Sequence, residues 1–594
     1  MQSSTGDGKY EVEKLTRGLV SVNTGKGMLV SWRVLGTDPD SSTYKLFRDG
    51  NLVYTSSGTD ATCYLDASGS ASSKYTVEAY NGSKLMDSAA QTAVLPTKST
   101  GQSGAYMDVP LKAPAGVTTP DGVTCQYSIN DCSVGDADGD GEYELFVKWD
   151  PSNSQDNSKS GYTGKVYIDC YKLNGTMLWR VDLGVNIRAG AHYTQFMVAD
   201  FDSDGAAEMI CKTSDGSVDG QGKVIGTAGK DYRASNGYVL SGPEYLTLFD
   251  GKTGAALDTI NYNPQRGKVS DWGDEYGNRV DRFLGAVAYL DGETPSCIMV
   301  RGYYTRMTAA AYDVVNRKLS QRWFFDSNNS GSGDAFGNGN HNCMPADVDG
   351  DGKHELVMGS CCIDDNGKLL WSTKKGHGDA MHLGDLAPER AGLELWMCHE
   401  NAPYGCSLID AGTGGEIFRI QGSGDTGRCV AGNFISGNNS AEFCCGADGN
   451  IYNASGKSIG AFSSITKWGM NSCAYWTGAL ERGTLDRTMV DQYGVGRVFT
   501  GEGGYNNSSK SNASLSCDLF GDWREELIFP SGTNLRIFGT SFTTTYRITT
   551  LMHDVQYRSQ VAGQNVAYNQ PPHTSFFLGT GYPLPASPDV HTAK

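Results

Sequence analysis

Three short stretches of the chain place aspartates at alternate positions, with glycines between them and a glutamate behind. The first is GDADGDGEYE, and ADFDSDGAAE and ADVDGDGKHE repeat the pattern further along. Carboxylates packed this closely repel one another unless a cation lies among them, and their hard oxygen atoms favour calcium. The pattern therefore predicts three calcium-binding hairpins, which we interpret as structural staples. The predicted ligands are Asp136, Asp138, Asp140 and Glu144; Asp200, Asp202, Asp204 and Glu208; Asp347, Asp349, Asp351 and Glu355.

A second group of polar residues precedes the hairpins, each at a similar short distance. The members are Asn130, Asp131, His192, Arg279, Arg282, His341, His377, Asp379, Arg428 and Lys510. The strands behind the hairpins return to the same end and add Asp150, His399 and Glu400. Polar side chains from separate repeats that meet at one end indicate a site rather than a solvated surface.

Two kinds of chemistry can be separated within this group. The candidate metal ligands are His341, His377, Asp379, His399 and Glu400, whereas Arg428, Lys510 and Tyr568 contribute cationic and phenolic groups. A metal beside a lysine and an arginine suits removal of the proton next to a uronate carboxylate, followed by elimination. The like charge of Arg428 would lower the pKa of Lys510 toward neutrality and make the amine a base.

Two other functions stay open at this point. One is a non-catalytic binding propeller whose repeats carry similar calcium loops. The other is a hydrolase that uses a carboxylate pair, for which the candidates are Asp131, Asp150, Asp379 and Glu400. A G-x-S-x-G elbow, a phosphate-binding G-x-x-x-x-G-K-[ST] loop and an H-E-x-x-H zinc helix are all missing from the sequence.

The elements that must position these residues are strands. Residues 1–98 are predicted to form an N-terminal β-sandwich domain of fibronectin type III character, since short strands from residue 10 onward alternate with Gly, Asp and Asn turns. The stretch LPTKSTGQSG marks a linker, and residues 99–594 form the second predicted domain.

The second domain is governed by a repeat. An apolar segment, a carboxylate hairpin, a β-rich segment and an Asp/Asn-Gly turn with another strand make one four-stranded blade. Degenerate hairpins occur at AYLDGETPSCIM, GDLAPERAGLELWM, GNFISGNNSAEFCC and CDLFGDWREELIF. Seven hairpins and a closing segment predict an all-β propeller of seven or eight blades. EF-hands fit poorly, because strands rather than helices flank the loops.

Composition restricts the partners. The chain has 67 acidic and 49 basic residues, a net charge of −18, and no basic stripe, which argues against nucleic acid or an anionic membrane surface. No apolar run is long enough for a membrane helix, and the first residues lack the regions of a signal peptide. Most of the 16 cysteines occur at apolar strand positions without C-x-x-C spacing and are predicted to be buried free thiols.

Long stretches of the chain resemble one enzyme family. The opening VEKLTRGLVSVNTGKGMLVSWRVLGTD, the run VGDADGDGEYELFVKWDPSNSQDNSKSGYTGKVYIDC, the segment LFGDWREELIF and the tail TLMHDVQYR with NVAYNQPPHTSFFLG are similar to the rhamnogalacturonan lyases of polysaccharide lyase family 11. The resemblance implies an eight-bladed propeller, several bound calcium ions, and β-elimination of the rhamnose–galacturonate backbone of rhamnogalacturonan I. It also implies a secreted protein, and we expect a monomer.

The resemblance further implies roles for individual residues. The catalytic positions fall on Arg428, Lys510 and Tyr568, and the substrate-binding positions on Asn130, Asp131, Asp150 and Asn507. The implied ligands of an active-site calcium are His341, His377, Asp379, Glu400 and Asn565. One departure stands out: the family favours an Asn-Gly-Thr type run before the lysine, whereas this chain has Asn507, Ser508 and Ser509.

Overall fold

The computed structural model describes residues 8–100 and 103–593, and the side chain of Ser509 is left out of the description. Nearly all of the regular secondary structure in the described part is in small β-sheets, so the predicted all-β class is confirmed. The helical elements of this part are one α-helix, Val555–Ala562, and the 3-10 turns Val269–Trp272, Gly333–Ala335, Phe462–Ser464, Ser508–Lys510, Leu551–His553 and Gly563–Asn565.

Two four-stranded sheets form the N-terminal part. In order across each sheet, their strands are Cys63–Asp66, Met28–Ser31, Val20–Asn23 and Ala93–Leu95; and Asn51–Thr55, Thr43–Arg48, Tyr75–Asn81 and Lys84–Ala90. The strand Tyr75–Asn81 alternates buried and half-buried residues, as expected for a strand with one face on a core. Trp32, Tyr44 and Val77 join residues of both sheets in one hydrophobic cluster.

Eight further sheets, numbered here 1 to 8, make up the rest of the chain. Sheets 1 to 7 are antiparallel meanders in chain order. Their strands are: sheet 1, Tyr127–Gly135, Glu144–Pro151, Tyr167–Tyr171 and Met177–Asp182, extended by Ser217–Val218 and Val224–Ile225; sheet 2, Phe196–Ala199, Glu208–Ser214, Glu244–Phe249 and Ala256–Asn261; sheet 3, Phe283–Ala288, Ser296–Arg301, Thr308–Val315 and Lys318–Asp326; sheet 4, Gly339–Ala346, Glu355–Gly359, Cys361–Ile363 and Leu369–Ser372; sheet 5, Met381–Gly384, Glu394–Cys398, Cys406–Asp410 and Glu416–Ile420; sheet 6, Cys429–Gly432, Glu442–Cys445, Asn450–Tyr452 and Ser458–Ala461; sheet 7, Ser472–Ala474, Gly483–Asp486, Met489–Gln492 and Gly496–Thr500.

Sheet 8 is assembled from both ends of this region. Its strands, in spatial order, are Thr97–Lys98, Gly104–Pro110, Asn534–Thr540, Glu526–Ser531 and Leu515–Cys517. The early strand Gly104–Pro110 pairs antiparallel with Asn534–Thr540, which ties the start of the region to its end. Two small pairs complete the strands: Val117–Thr118 with Thr124–Cys125, and Tyr10–Val12 parallel to Val590–Thr592.

Contacts between the sheets follow the chain. The first strands of sheets 1 to 7 contact one another in succession, and Leu515–Cys517 of sheet 8 contacts Tyr127–Gly135 of sheet 1. Sheets 7 and 8 share a hydrophobic cluster that includes Trp476 and Phe538. The helix Val555–Ala562 contacts the first strands of sheets 1 to 4 and the strand Leu515–Cys517, so one buried segment joins five sheets.

Three of the predicted features can be compared directly with this fold. Each carboxylate hairpin joins the first two strands of its sheet, in sheets 1, 2 and 4, as predicted. All sixteen cysteines lie in the described part, none is paired, and fifteen are buried, so the prediction of buried thiols is confirmed. Within that same part, no helix is both long and apolar enough to cross a membrane.

The predicted domain boundary falls close to the first strands of sheet 8. Residues 1–7, 101, 102 and 594, which include part of the predicted linker, lie outside the described residues. The first N-terminal sheet packs against sheets 1 and 8 through Val22 and Leu95, which share a cluster with Val109 and Leu145.

Candidate functional site

The hairpin of sheet 2 is the most complete of the three carboxylate hairpins. One ligand atom from each of its predicted residues lies within 4.8 Å of the others; the residues are Asp200, Asp202, Asp204 and Glu208. Asp200 shapes the loop, because its carboxylate accepts the backbone N–H groups of Asp204 and Gly205. Asp202 Oδ1 is buried without a hydrogen-bond partner among the described residues. Burial, followed by the charge of neighbouring aspartates, raises the pKa of Glu208 to about 10. An all-oxygen set of this kind fits calcium.

The hairpin of sheet 1 differs because a lysine enters it. The Lys172 Nζ lies 2.7 Å from Asp138, 2.9 Å from Asp140 and 3.5 Å from Glu144. Asp136, Asp138 and Glu144 still form a compact group, but Asp140 is not part of it. The half-exposed carboxylate of Asp140 pairs with the lysine instead, and its role as a metal ligand stays a prediction.

The hairpin of sheet 4 divides its oxygens between two groups. Asp347, Asp349 and Asp351 form one, and Asp349 with Glu355 and Asp364 forms the other. Sequence analysis missed Asp364, which lies in the turn after the third strand of the sheet. Burial, then repulsion from the aspartates, raises the pKa of Glu355 to about 9. A cation among these carboxylates would relieve that repulsion.

A second type of cluster is formed by His341, His377, Asp379 and Glu400, which we call the donor cluster. One ligand atom from each lies within 4.8 Å of the others. His341 Nε2 is 3.4 Å from Asp379 and 3.7 Å from Glu400, and His377 Nε2 is 3.5 Å from Glu400. Burial and the neighbouring Glu400 raise the pKa of Asp379 to about 8. Sequence analysis predicted all four residues, and the fold brings them together.

Two further predicted ligands have hydrogen-bond partners of their own. His399 is buried and hydrogen-bonds Ser407 within its own sheet, so it is not in the donor cluster and this prediction is wrong. The His399 ring turns to Ser407 of the third strand of its sheet, whereas Glu400, in the bend that follows, reaches His377 of the cluster. The Asn565 amide bonds the backbone of Phe196 through both its oxygen and its nitrogen.

Aromatic residues of sheet 3 surround the donor cluster. The Tyr304 hydroxyl lies 2.8 Å from His341 Nε2, and the Tyr303 hydroxyl lies 3.1 Å from His341 Nδ1 and 3.2 Å from His192 Nδ1. The Tyr304 ring lies 3.9 Å from the ring of His377. Sequence analysis missed both tyrosines, although they follow the second strand of their sheet, the position that had indicated Asp150 and Glu400.

Lys510, Tyr568 and Arg428 meet beside the donor cluster. Lys510 is the last residue of the 3-10 turn Ser508–Lys510, which precedes the strand Leu515–Cys517 of sheet 8. Its Nζ lies 2.8 Å from the centroid of the Tyr568 ring. The Arg428 guanidinium lies 5.2 Å from the same ring. Tyr568 also stacks on His341 at 5.0 Å, and its hydroxyl hydrogen-bonds Asp379. The tyrosine therefore links the cationic residues to the donor cluster.

The surroundings of Lys510 lower the pKa of its amine. Burial is the main cause and the nearby Arg428 the second, and together they lower the pKa of Lys510 to about 7. Asp379 and Asp156 oppose this shift but do not cancel it. Burial and the charge of Asp379 raise the pKa of Tyr568 well above its usual value, so the phenol stays protonated. An amine that is half neutral near pH 7 is suited to accept a proton.

The predicted substrate-binding residues lie in sheet 1 and in the loop before Lys510. Asn130 donates to Asn506 at 2.9 Å and to Asn507 at 3.2 Å. Asp150 lies in the second strand of sheet 1, accepts a hydrogen bond from Ser154, and has its pKa raised to about 6, mainly by burial. Asp131 is buried and binds the side chain of Asn507.

Comparison with known families accounts for nearly the whole chain. Residues 106–588 match the family described as "Rhamnogalacturonan lyase family 11, C-terminal domain", and residues 10–95 match the "Rhamnogalacturonan I lyases beta-sheet domain". The chain belongs to rhamnogalacturonan lyase family 11. The predicted resemblance is confirmed.

Individual members of this lyase family are also similar over their full length. The chain is 50% identical to the rhamnogalacturonan endolyase YesW of Bacillus subtilis (strain 168), covering 98% of this chain and 93% of that protein. It is 48% identical to the rhamnogalacturonan exolyase YesX of the same organism, covering 98% of each. The crystal structure of YesW superposes with a TM-score of 0.93 at 48% identity, covering 98% of this chain and all of that chain.

For a member of this lyase family, the site has the parts that an elimination needs. It presents an amine of lowered pKa, a guanidinium, and a cluster of four metal-type donors within one region. The Lys510 amine can take a proton. The Arg428 guanidinium, and a cation if the donor cluster held one, can bind a carboxylate on which negative charge develops.

Proposed function

We propose that the chain cleaves the rhamnose–galacturonate backbone of rhamnogalacturonan I by β-elimination, with Lys510 as the base. The chain is a rhamnogalacturonan lyase, and so a polysaccharide lyase, by its family and by its full-length similarity to named lyases. The non-catalytic binding propeller is not supported by these similarities. The observation that carries the residue assignment is the Lys510 amine, whose pKa is lowered to about 7 beside Arg428 and the donor cluster.

The proton transfer is assigned to Lys510. In its neutral form the amine accepts the proton from the carbon next to the uronate carboxylate. The released electron pair forms the new carbon–carbon double bond, the C4–O bond to the rhamnose breaks, and the departing oxygen takes up a proton. The product then carries an unsaturated galacturonate end and no added water, in contrast to hydrolysis.

Arg428 and Tyr568 have supporting roles. The Arg428 guanidinium stabilises the charge that develops on the uronate and, by like charge, adds to the lowering of the Lys510 pKa that burial begins. The face of the Tyr568 ring contacts the Lys510 amine, and the Tyr568 hydroxyl hydrogen-bonds Asp379. Asn130, Asp150 and Asn507 are proposed to contact the polymer around the cleaved bond.

Calcium is proposed for the carboxylate hairpins. Their all-oxygen ligand sets, raised carboxyl pKa values and unpartnered buried oxygens fit a hard divalent cation. The donor cluster, with Asn565 as a further proposed ligand, would hold an active-site cation, predicted to be calcium. A cation bound there would neutralise the uronate carboxylate as a Lewis acid. Because two of its donors are imidazole nitrogens, this ligand set is softer than the all-oxygen sets of the hairpins. Metal analysis of each site would show whether both types bind the same metal.

The architecture proposed for the chain is an eight-bladed β-propeller, residues 99–594, with an N-terminal fibronectin type III-like β-sandwich, residues 1–98. The succession of contacts between first strands, and the pairing of Gly104–Pro110 with Asn534–Thr540, support ring closure. The two N-terminal sheets that share one core support the sandwich. We further propose a secreted monomer that acts on an acidic plant polysaccharide.

The experiment that tests this proposal follows ultraviolet absorbance during incubation with rhamnogalacturonan I, with and without a calcium chelator. Growth of the signal shows the conjugated double bond that only elimination creates. Homogalacturonan, which lacks rhamnose, is the control polymer and should give no signal. Shortening of the polymer without absorbance would contradict the proposal in favour of hydrolysis, and an undiminished signal after chelation would contradict the need for a metal.

A further inference from the structure

Asp131 is a buried residue that contacts the loops carrying Lys510 and Tyr568. It belongs to the first strand of sheet 1, at a bulge between Ile129 and Cys132 where the pairing with the second strand shifts register. Bulges of this kind re-aim side chains next to active sites. Asp131 is only 4% exposed, which leaves its carboxylate almost no surface for a polymer.

The Asp131 carboxylate accepts hydrogen bonds from four side chains. Its Oδ2 accepts from Lys148 Nζ at 2.7 Å, a buried partner in the neighbouring strand. Its Oδ1 accepts from the side-chain amides of Asn506, Asn507 and Asn569 at 2.8, 3.1 and 2.8 Å. An ionised carboxylate is the acceptor that can satisfy this many donors.

The amides come from the two segments that carry the proposed base and its supporting tyrosine. Asn506 and Asn507 precede the turn Ser508–Lys510, and Asn569 follows Tyr568. Asn507 also donates to Asn569 at 2.6 Å, so the two segments are joined directly as well as through Asp131.

Both segments have backbone conformations that non-glycine residues avoid. The φ angles are 56° at Asn507, 47° at Ser508, 54° at Ser511 and 49° at Asn569. Glycine is the residue that adopts positive φ without a steric cost, and none of these four residues is a glycine. Such conformations persist only where the surroundings over-determine them. The side-chain bonds to Asp131 supply that constraint.

We propose that Asp131, with Lys148 as its buried countercharge, is a positioning residue that holds Lys510 over Tyr568. The inference rests on the proposed function only in treating Lys510 as the base. Asp131 acts through Asn506, Asn507 and Asn569 and does not itself contact the substrate.

The test compares Asp131→Asn with a matched control, Asp169→Asn. Asp169 is also a buried carboxylate of sheet 1, and it accepts from Trp149 at 2.8 Å, Tyr171 at 3.0 Å and Arg180 at 2.7 Å. For Asp131→Asn we expect kcat on rhamnogalacturonan I to fall roughly 10²-fold, as misplacement of a catalytic group can cause, with KM nearly unchanged. The control should lower the melting temperature but leave kcat within about twofold, since general destabilisation does not move the base.

Hydrogen exchange separates this inference from the assignment of Lys510. Peptides that cover residues 506–511 and 567–569 should exchange about tenfold faster in Asp131→Asn than in Asp169→Asn, because the loops lose their anchor. Unchanged exchange and kcat in a folded Asp131→Asn variant would overturn the inference, as would an equal loss of kcat in the control. If Lys510→Ala stays active while the loops loosen in Asp131→Asn, the base assignment fails and the anchoring role stands.

A second variant covers the case in which Asp131→Asn does not fold. Asn569→Ala removes one donor and leaves the Asp131–Lys148 pair intact. We expect the same faster exchange at residues 506–511 and a smaller fall in kcat, of about tenfold. Full activity and unchanged exchange in this variant would also count against the anchoring role.

Discussion

The hairpin Asp200–Glu208 and the donor cluster each gather four ligand-type side chains within 4.8 Å, but the chain builds them differently. The hairpin uses nine consecutive residues, so its geometry is settled by one turn. The donor cluster takes His341 from the first strand of sheet 4 and its other residues from the segments flanking the first two strands of sheet 5. Its geometry therefore exists only after both sheets have formed.

The two groups also differ in how their charges are balanced. In the hairpin, burial and repulsion from nearby carboxylates, among them Glu11 outside the hairpin, raise the pKa of Asp200 to about 8, and burial and the hairpin aspartates raise that of Glu208 to about 10. In the donor cluster, burial raises the pKa of Asp379 to about 8. Burial acts in the same direction on Glu400, but the hydrogen bond and charge of His377, with smaller contributions from Asp379 and Arg279, together outweigh it and lower the pKa of Glu400. The difference agrees with the roles proposed above, a structural cation for the hairpin and a part in the reaction for the cluster.

The largest effect on activity is expected from substitution of Lys510, which lies beside the donor cluster. Lys510→Ala should lower turnover roughly 10²–10⁴-fold, the contribution of a general base, because no other amine takes its place. The melting curve by circular dichroism should be nearly unchanged, because the variant removes a partly buried charge. An active, folded variant would remove Lys510 from the catalytic role.

The dependence of kcat/KM on pH should also reflect the lowered pKa of Lys510. Because the amine must be neutral to accept a proton and its pKa is about 7, kcat/KM should rise with pH up to about 7 and then level off. Below pH 7 the fall should approach tenfold per pH unit. A profile still climbing steeply toward pH 10 would indicate an unshifted lysine instead.

Asp379→Asn should separate the donor cluster from the hairpin. The substitution removes a ligand-type oxygen and the acceptor for Tyr568, and it should lower kcat by about 10–100-fold. The melting temperature should change little, since a buried carboxyl of raised pKa costs free energy in the folded state. Loss of stability without loss of kcat would place Asp379 with the structural carboxylates.

Glu208→Gln tests whether the hairpin Asp200–Glu208 binds calcium, and Glu394→Gln is the control. Calcium at about 100 times its dissociation constant adds roughly 2.7 kcal/mol to the free energy of unfolding, and Glu208→Gln should lose most of this gain. Its kcat at 25 °C should stay within about twofold. Glu394 occupies the corresponding position in sheet 5 and binds the N–H groups of Leu386 and Ala387. Its substitution should not alter the calcium response, and a shared response would contradict a site at the hairpin.

The smallest effect is expected from Lys172→Met. The lysine competes with a cation for Asp138 and Glu144, so its removal should raise the calcium affinity of this hairpin by roughly tenfold, as ligand charge tunes such loops. Calorimetric titration of the variant against the parent chain measures this change. Weaker binding in the variant would mean that the lysine supports the metal site.

These contrasts also mark what the sequence could predict. The carboxylate hairpins and the all-β class depend on local spacing, and both were predicted. Lys172 and Asp364 were missed because each reaches its hairpin from the third strand or the turn after it, and nothing in the hairpin's own sequence indicates which side chain that will be. His399 was placed wrongly because its ring hydrogen-bonds Ser407 of the third strand, a long-range contact that its position next to Glu400 in the sequence does not reveal.

The anchoring network was beyond sequence analysis for a similar reason. Asn506 and Asn569 are 375 and 438 residues from Asp131 along the chain, and only the fold makes them neighbours. The polar group ahead of the hairpins could still be predicted, because its residues lie in or just before the first strands of their sheets, and neighbouring first strands contact one another. A repeat thus makes distant residues predictable when they share a position in it.

The most direct test of the central claim is the mass of the product released from rhamnogalacturonan I. Elimination by the parent chain should give oligosaccharides whose new galacturonate end is lighter by one water than a hydrolysis product, and Lys510→Ala should give almost none. Saturated products of full mass would contradict the elimination, and unsaturated products formed at an undiminished rate by Lys510→Ala would contradict the role of the lysine.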